Sequence, residues 1–522
     1  MKARMRETAG GAVVDAKSCE AWLARAALAD PRHACQELTA LLEALEEAPP
    51  GDADYLDVLE RLREPVAITL AEHAKKITGR PLPLRDSEAA VFDQLQDLWT
   101  AFGRAYRRLF ERAAQEGALA GHAPLLAQRA LDCIAELMMA HYRCRREVDF
   151  ELWRDLHALY RMADEGGHAL ENIPASLRSR TISSCHEVYV RALLLHLANP
   201  YALGGRELAW TRRWATTWAH KVDLVSAADD AQGYAVDLAS SQPPQWGRAD
   251  HARPATRFLE MSALRRSVKG RARKLESGVD PQTLGLGKDC VQPDVGRLMN
   301  TLARNWLEAP AARQFTRRAS PGSVELVCGI DAIHAALTGR AFKGASRHWD
   351  YSRRDAESLQ IYQSTNTASV EAPPPAVSAE RWESLDESAN GFRLRRAADG
   401  ARLAHLQLIA LKPQDARTYI LSEIRWLMLG VDRSLVIGAA ALPGLATGVA
   451  VRPVGNPTLP EPYTQAFLLP GKPGQAECLV LPAGWHQPGR ELELRVEDEL
   501  VKVRLGGVLQ HGYDYDRVAF SR

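Results

Sequence analysis

Val324-Glu-Leu-Val-Cys328 marks the point where the chain changes character. From here apolar and polar residues alternate, as again in Phe392-Arg-Leu-Arg395, Leu406-Gln-Leu-Ile-Ala-Leu411, Tyr419-Ile-Leu421 and Leu435-Val-Ile437. A period of two is the mark of a half-buried strand. Asp399-Gly400 and Pro443-Gly444 are turn pairs between these runs. Beyond Pro453 come further strands at Gln465–Leu469 and Glu477–Leu481, and a hairpin around Glu491–Leu509. Many short strands with regular turns predict a small barrel or sandwich. The stretch from Gly344 to Glu380 is rich in Ser, Arg and Pro and reads as an irregular insertion.

Before Ser323 the period is helical. Ser18 reads as the N-cap of Cys19–Leu28, and Asp30-Pro31 opens a helix with Leu38, Leu41, Leu42 and Leu45 on one face. Pro49-Pro50-Gly51-Asp52 breaks it, and Tyr55–Ile77 follows. From Ser87 a stripe of Val91, Leu95, Leu98, Trp99, Phe102, Tyr106 and Leu109 predicts a long helix. Further helices read as Pro124–Val148, Phe150–Ala163, Ser183–Leu197 and Glu207–Val222. Short breaks between such helices predict antiparallel neighbours in a bundle or solenoid. Gly233–Leu238 and Thr256–Met261 then read as strands, and Ala263–Leu275 and Asp294–Leu307 as helices.

The expected organisation is α + β and multidomain. Residues 1–225 form an all-helical bundle or solenoid and 226–310 a small mixed connecting region. Residues 311–453 form a small β-barrel with an insertion at about 344–380, and 454–522 a C-terminal β extension.

Length and composition agree with folded domains: 522 residues, 46% hydrophobic and 25% charged. Lys and Arg number 66 and Asp and Glu 65, a net charge of +1 that supplies no global field for duplex nucleic acid or an anionic membrane. The eight cysteines form no C-x-x-C pair. His141-x-x-Cys144 and Cys185-His186 lack the spacing of a structural zinc site and read as core residues. The first residues are charged without an apolar run, so no secretory signal is expected. Leu435–Val451 is short for a membrane span and holds Pro443 and three glycines. It reads as two buried strands joined by a turn, and the protein as cytoplasmic. There is no H-E-x-x-H and no G-x-S-x-G. Leu284-Gly-Leu-Gly-Lys288 lacks the full phosphate-loop pattern and reads as a turn. No catalytic residue, metal or cofactor is expected, so the chain reads as a receptor and not an enzyme.

Two motifs carry chemistry. Arg313-Gln-Phe-Thr-Arg317, followed by Arg318, precedes the first long strand. Guanidinium groups bind phosphate oxygens bidentately and stack on flat bases. Asp386-Glu-Ser388-Ala-Asn-Gly391 lies just before Phe392–Leu394. The Asp386 carboxylate can accept two N–H donors from a guanine edge, and Ser388 adds a hydroxyl. Gly391 suits a positive φ or a close backbone approach.

These motifs, in this order, resemble the PilZ family of cyclic-di-GMP receptors, over about Arg313–Val451. That family carries R-x-x-x-R before its first barrel strand and [D/N]-x-S-x-x-G entering a later one. The resemblance implies cyclic-di-GMP as ligand, held by Arg313, Arg317, Arg318, Asp386, Ser388 and Gly391, in a bacterial second-messenger effector. It says nothing of the helical half, which would serve as a scaffold for a protein partner. The alternative is a ligand-independent helical adaptor with a degenerate barrel.

Overall fold

The computed structural model describes residues 13–113, 115, 119–174, 182–226, 232–248, 253–309, 322–342, 378–388, 390–454, 461–471, 476–496 and 499–522. The chain divides into two compact units. One is Met1–Ala312 with Met428–Asp432, and the other is Arg313–Leu427 with Arg433–Arg522.

In the helical unit, α1 (Ala16–Leu23), α2 (Pro31–Glu47), α3 (Asp52–Ala74), α4 (Asp86–Ala113), α5 (Ala123–Arg143) and α6 (Phe150–Glu165) come first. The strands β1 (Ile173–Pro174) and β2 (Ile182–Ser183) precede α7 (Cys185–Leu197) and α8 (Gly205–Trp218). Next come β3 (Asp223–Val225), β4 (Gln232–Asp237), β5 (Gln245–Arg248) and β6 (Thr256–Glu260), in one sheet of order β3-β6-β4-β5. The helices α9 (Ser262–Glu276) and α10 (Asp294–Leu307) complete the unit.

Side-chain caps set several of these helix starts. Asp30 accepts from the His33 N–H at 3.0 Å with Pro31 in the first turn, and Asp149 accepts from the Leu152 N–H at 2.7 Å. Ser184 and Glu187 form a capping box on α7. The cap of α1 is Asp15, not Ser18. Ser18 is the third helical residue and completes the box from inside, because Asp15 is the last residue at which the chain is still extended. The apolar faces meet in one continuous core. Its largest feature is a tryptophan ladder on α8. Trp210, Trp214 and Trp218 stack at ring separations of 6.3 and 5.9 Å, and Trp306 of α10 meets Trp218 edge-on.

Buried histidines make this unit acid-sensitive, His141 and His196 foremost. His141 is 7% exposed, and its Nδ1 lies 2.9 Å from the Glu147 carbonyl. Burial pushes its pKa down to about 4. The folded state therefore keeps His141 neutral, while the unfolded chain takes up a proton below about 6.5. Stability from this group is full above pH 6.5 and is lost as pH falls toward 4, by about 3 kcal/mol at the lower end. Denaturant titrations read by helical circular dichroism should show the midpoint falling across that window. The His141→Asn variant should show a flatter pH dependence. An equal slope in the two proteins would remove His141 as the cause.

The second unit holds β7 (Gly322–Cys328), α11 (Ile330–Thr338), β8 (Glu380–Ser388), β9 (Gly391–Ala397), β10 (Leu408–Pro413), β11 (Ile420–Leu429) and β12 (Ser434–Ala441). It continues with β13 (Thr447–Pro453), β14 (Thr464–Leu469), β15 (Cys478–Pro482), β16 (Glu491–Val496), β17 (Glu499–His511) and β18 (Tyr515–Ser521). The strands form two closed barrels. The first runs β7-β8-β9-β12-β11-β10 and closes where Ile409–Pro413 pairs with Val324–Cys328. The second runs β13-β14-β15-β18-β17-β16 and closes where Ala450–Pro453 pairs with Leu492–Arg495.

The expected C-terminal extension is thus a complete barrel, and it begins earlier than 454. Leu435–Val451 is indeed two strands and a turn, with Gly444 at φ +87°. Yet β12 pairs with β9 in the first barrel while β13 pairs with β14 and β16 in the second. The turn is a crossing between barrels rather than a hairpin. The sequence reading also lacks α11. This helix buries Ile333 in one cluster with Val327, Leu408 and Leu421 of the first barrel and Phe467, Leu469, Val480 and Tyr515 of the second. Among the described residues no helix is long and apolar enough to cross a membrane.

Candidate functional site: the outer face of the first barrel

The Asp386–Gly391 motif is not a loop ahead of a strand. Asp386 and Ser388 end β8 and Gly391 begins β9, so the motif is a hairpin, with Ser388 paired to Gly391. The Ser388 hydroxyl donates to the Gly391 carbonyl at 3.3 Å across the turn.

A bulge decides which way the motif points. Glu383 pairs with Arg395 and Ser384 with Leu394, but Asp386 pairs with Arg393, so Leu385 is the extra residue. Leu394 and Phe392 are buried, as are Trp382 and Ser384, whereas the Arg393 and Arg395 side chains are 45% and 42% exposed. Paired residues share a face. In a regular strand Asp386 would follow Trp382 and Ser384 inward. The bulge at Leu385 turns Asp386 and Ser388 onto the outer face.

That face continues across the sheet. Gly438 of β12 pairs with Arg393, and Ala440 pairs with Gly391. Any Cβ on Gly438 would overlap the Trp426 indole of β11, which therefore lies against the glycine backbone. Asp386, Arg393, Gly438 and Trp426 thus form a lateral row over four strands, about 14 Å long at the usual strand spacing. Gly391, Gly438 and Ala440 give it a flat floor. Gly391 has no positive φ. Its need is close approach, since a Cβ there would stand 3.2 Å from the Ala439 carbonyl oxygen.

Asp386 and Arg393 are 3.9 Å apart, an ion pair too long to be a hydrogen bond, and the Asp386 side chain is 17% exposed. Next to it the Arg395 guanidinium pairs with Glu383 at 2.9 Å. Arg396 is turned into the barrel, 4.8 Å over the Trp382 ring and 3.2 Å from Glu380, so it supports the strand rather than the face.

Asp386, Ser388 and Gly391 are brought together. Arg313, Arg317, Arg318 and residues 344–377 of the insertion lie outside the described residues. Sequence reasoning missed Arg393 and Trp426, which lie 7 and 40 residues beyond Asp386 and join it only through strand register. The other motifs resolve into packing. Leu286, within Leu284–Lys288, is buried, and its carbonyl accepts the Trp214 indole N–H at 2.9 Å. His186 bonds the Val222 carbonyl at 2.7 Å, and Cys185 lies 3.8 Å from the Pro124 carbonyl.

Comparison with known families supplies two matches. The N-terminal domain of the cyclic-di-GMP receptor FimW matches residues 17–229, and the FimW C-terminal beta-barrel domain matches residues 449–522. Both ends of the chain are FimW-like. Together the two matches cover more than half of it, in the order their descriptions give. The C-terminal match starts inside β13, in keeping with the second barrel as a domain of its own. Residues 230–448, which hold the first barrel, fall between the two matches. No curated protein matches the chain.

Proposed function

We propose that this protein is a cyclic-di-GMP effector that takes its ligand on the outer face of the first barrel. Asp386 and Ser388 read the guanine edge, Arg393 meets the phosphates, and the Trp426 indole offers a stacking surface. Arg313, Arg317 and Arg318, from the sequence before β7, add guanidinium contacts to the ligand's phosphates. Ligand binding there is coupled to the helical unit, which engages a protein partner. The observation that carries this reading is the lateral row, because it places the carboxylate, a guanidinium and an indole on one flat face. The FimW matches support the ligand's identity.

Calorimetry with the full chain tests it. Asp386→Ala should weaken cyclic-di-GMP binding by about 1.5–3 kcal/mol, the scale of a hydrogen bond to a charged group. It should also lower discrimination against cyclic-di-AMP. Arg313→Ala with Arg317→Ala should abolish measurable binding. Unchanged affinity and selectivity in Asp386→Ala would remove this face as the site. No binding by the wild type would leave the ligand-independent adaptor.

A further inference from the structure

The helical unit contains a second concentration of arginine, far from the barrel motifs in sequence. The helices α5, α7 and α8, with Thr78, enclose a cleft of about 410 Å³ lined by Arg143, Arg191, Arg212 and Arg213. That volume is in the range of small-molecule sites. Gly205 and Ala209 of α8 also line it and leave room between the guanidinium groups.

Three of the four arginines are neutralised. Arg191 binds Asp132 at 2.8 Å, Arg212 binds Glu136, and Arg213 binds Asp289 at 2.7 Å. Arg143 has no hydrogen-bond or ion-pair partner for its guanidinium among the described residues. It is half-buried, and its pKa is held down by burial. Glu136 nearby favours its charged form and Arg212 opposes it, and among the described residues the buried Arg212 Nε–H has no acceptor. Glu136 already binds Arg212, so an anion in the cleft would give Arg143 the direct counterion it lacks. The hydroxyls of Thr216 and Thr217 donate to the Arg212 and Arg213 carbonyls at 2.8 and 2.9 Å. The donors left for a ligand are therefore guanidinium groups, whose planar fork matches phosphate oxygens.

We propose that this cleft is a second ligand site, for a small phosphate-bearing anion that pairs with Arg143 and is flanked by Arg212 and Arg213 on α8. It is separate from the barrel face and does not depend on it. The α8 helix has two faces with two tasks: Trp210, Trp214 and Trp218 fix it in the core, and Ala209, Arg212 and Arg213 present its other side to the ligand.

Inorganic pyrophosphate, titrated calorimetrically into the full chain at constant ionic strength, is the test. Wild type should bind saturably. Arg143→Gln should bind about tenfold or more weakly, as expected on losing a charged hydrogen bond. Ala209→Glu should have the same effect. It places a carboxylate on the exposed side of α8 one turn before Arg213, so it fills the site without disturbing the core. Asp386→Ala should bind pyrophosphate as wild type does. Absence of saturable binding, or binding unchanged in both cleft variants, overturns the proposal. Parallel titrations with cyclic-di-GMP separate the two sites. Loss only in Asp386→Ala, with pyrophosphate not bound, sinks the cleft and keeps the barrel reading. Loss only in the two cleft variants sinks the barrel reading and makes the cleft the dinucleotide site.

Discussion

Replacing Trp214 with alanine should destabilise the helical unit by about 3–5 kcal/mol, the usual cost of deleting a buried tryptophan. Trp214 is 1% exposed and lies between Trp210 and Trp218, so its loss opens a void in the middle of the ladder. It also strands the Leu286 carbonyl, which accepts the indole N–H. Relaxation is limited because both neighbours are pinned. The Trp210 N–H donates to Asp289 at 2.7 Å, and Arg271 lies 5.2 Å over the Trp218 ring. Trp214→Phe should cost less, since it keeps most of the stacking area and loses the hydrogen bond. The measurement is the denaturant midpoint of the helical signal. A loss below about 1 kcal/mol in the alanine variant would mean that the ladder is not what holds α8.

The second large effect is expected at Glu423. This residue of β11 is 1% exposed and accepts hydrogen bonds from the Tyr515 hydroxyl and the Gln510 amide of the second barrel, while Arg425 pairs with it at 2.6 Å. Tyr515 is fully buried, and burial pushes its hydroxyl pKa well up, so it stays a donor. Around this contact the Leu408 N–H donates to Asp514 at 2.9 Å and the Tyr513 N–H to the Leu406 carbonyl at 2.7 Å. Glu423→Ala removes the acceptor common to both donors and should cost about 3–5 kcal/mol, as breaking a buried charged network does. Glu423→Gln keeps an acceptor for Tyr515 and should cost clearly less. Denaturant unfolding followed by tyrosine and tryptophan fluorescence would read both. Equal effects of the two substitutions would show that the charge, lost in both, and not the volume or the acceptor that Gln retains, is what holds this contact.

The sequence revealed helices far better than strand pairing. The bounds of α10, Asp294–Leu307, follow from apolar residues at Val295, Leu298, Met299, Leu302 and Trp306, a pattern that needs no partner to be seen. By contrast α11 is nine residues long, lies among alternating runs, and is marked only by Gly329 before it and the left-handed Gly339 after it. Strand β8 was hidden by its own bulge. Leu385 breaks the alternation that a period-two reading looks for, and that break is what makes the candidate site. The split of Leu435–Val451 between two barrels depends on which strands bond, and local pattern does not encode that. The same holds for the site. Asp386, Ser388 and Gly391 form one short motif and were legible together. Trp426 and Gly438 are two unremarkable residues until β11 and β12 lie side by side. Arg143 reads like any arginine near a helix end until its neighbours are seen to hold the available carboxylates.

Closure of both barrels limits how anything can attach to the second unit. Each strand of β7–β12 and of β13–β18 already has a neighbour on both sides, so neither barrel has an edge strand. A partner peptide finds no edge strand on either barrel to pair with along its length, so recognition there falls to side chains. Among the described residues, the larger sheet with free edges is the four-stranded one in the helical unit, bounded by β3 and β5. If an extended segment of a partner docks through its backbone, that sheet offers the place for it, and β5 with its Gln245-Trp-Gly-Arg248 sequence is the longer of the two edges.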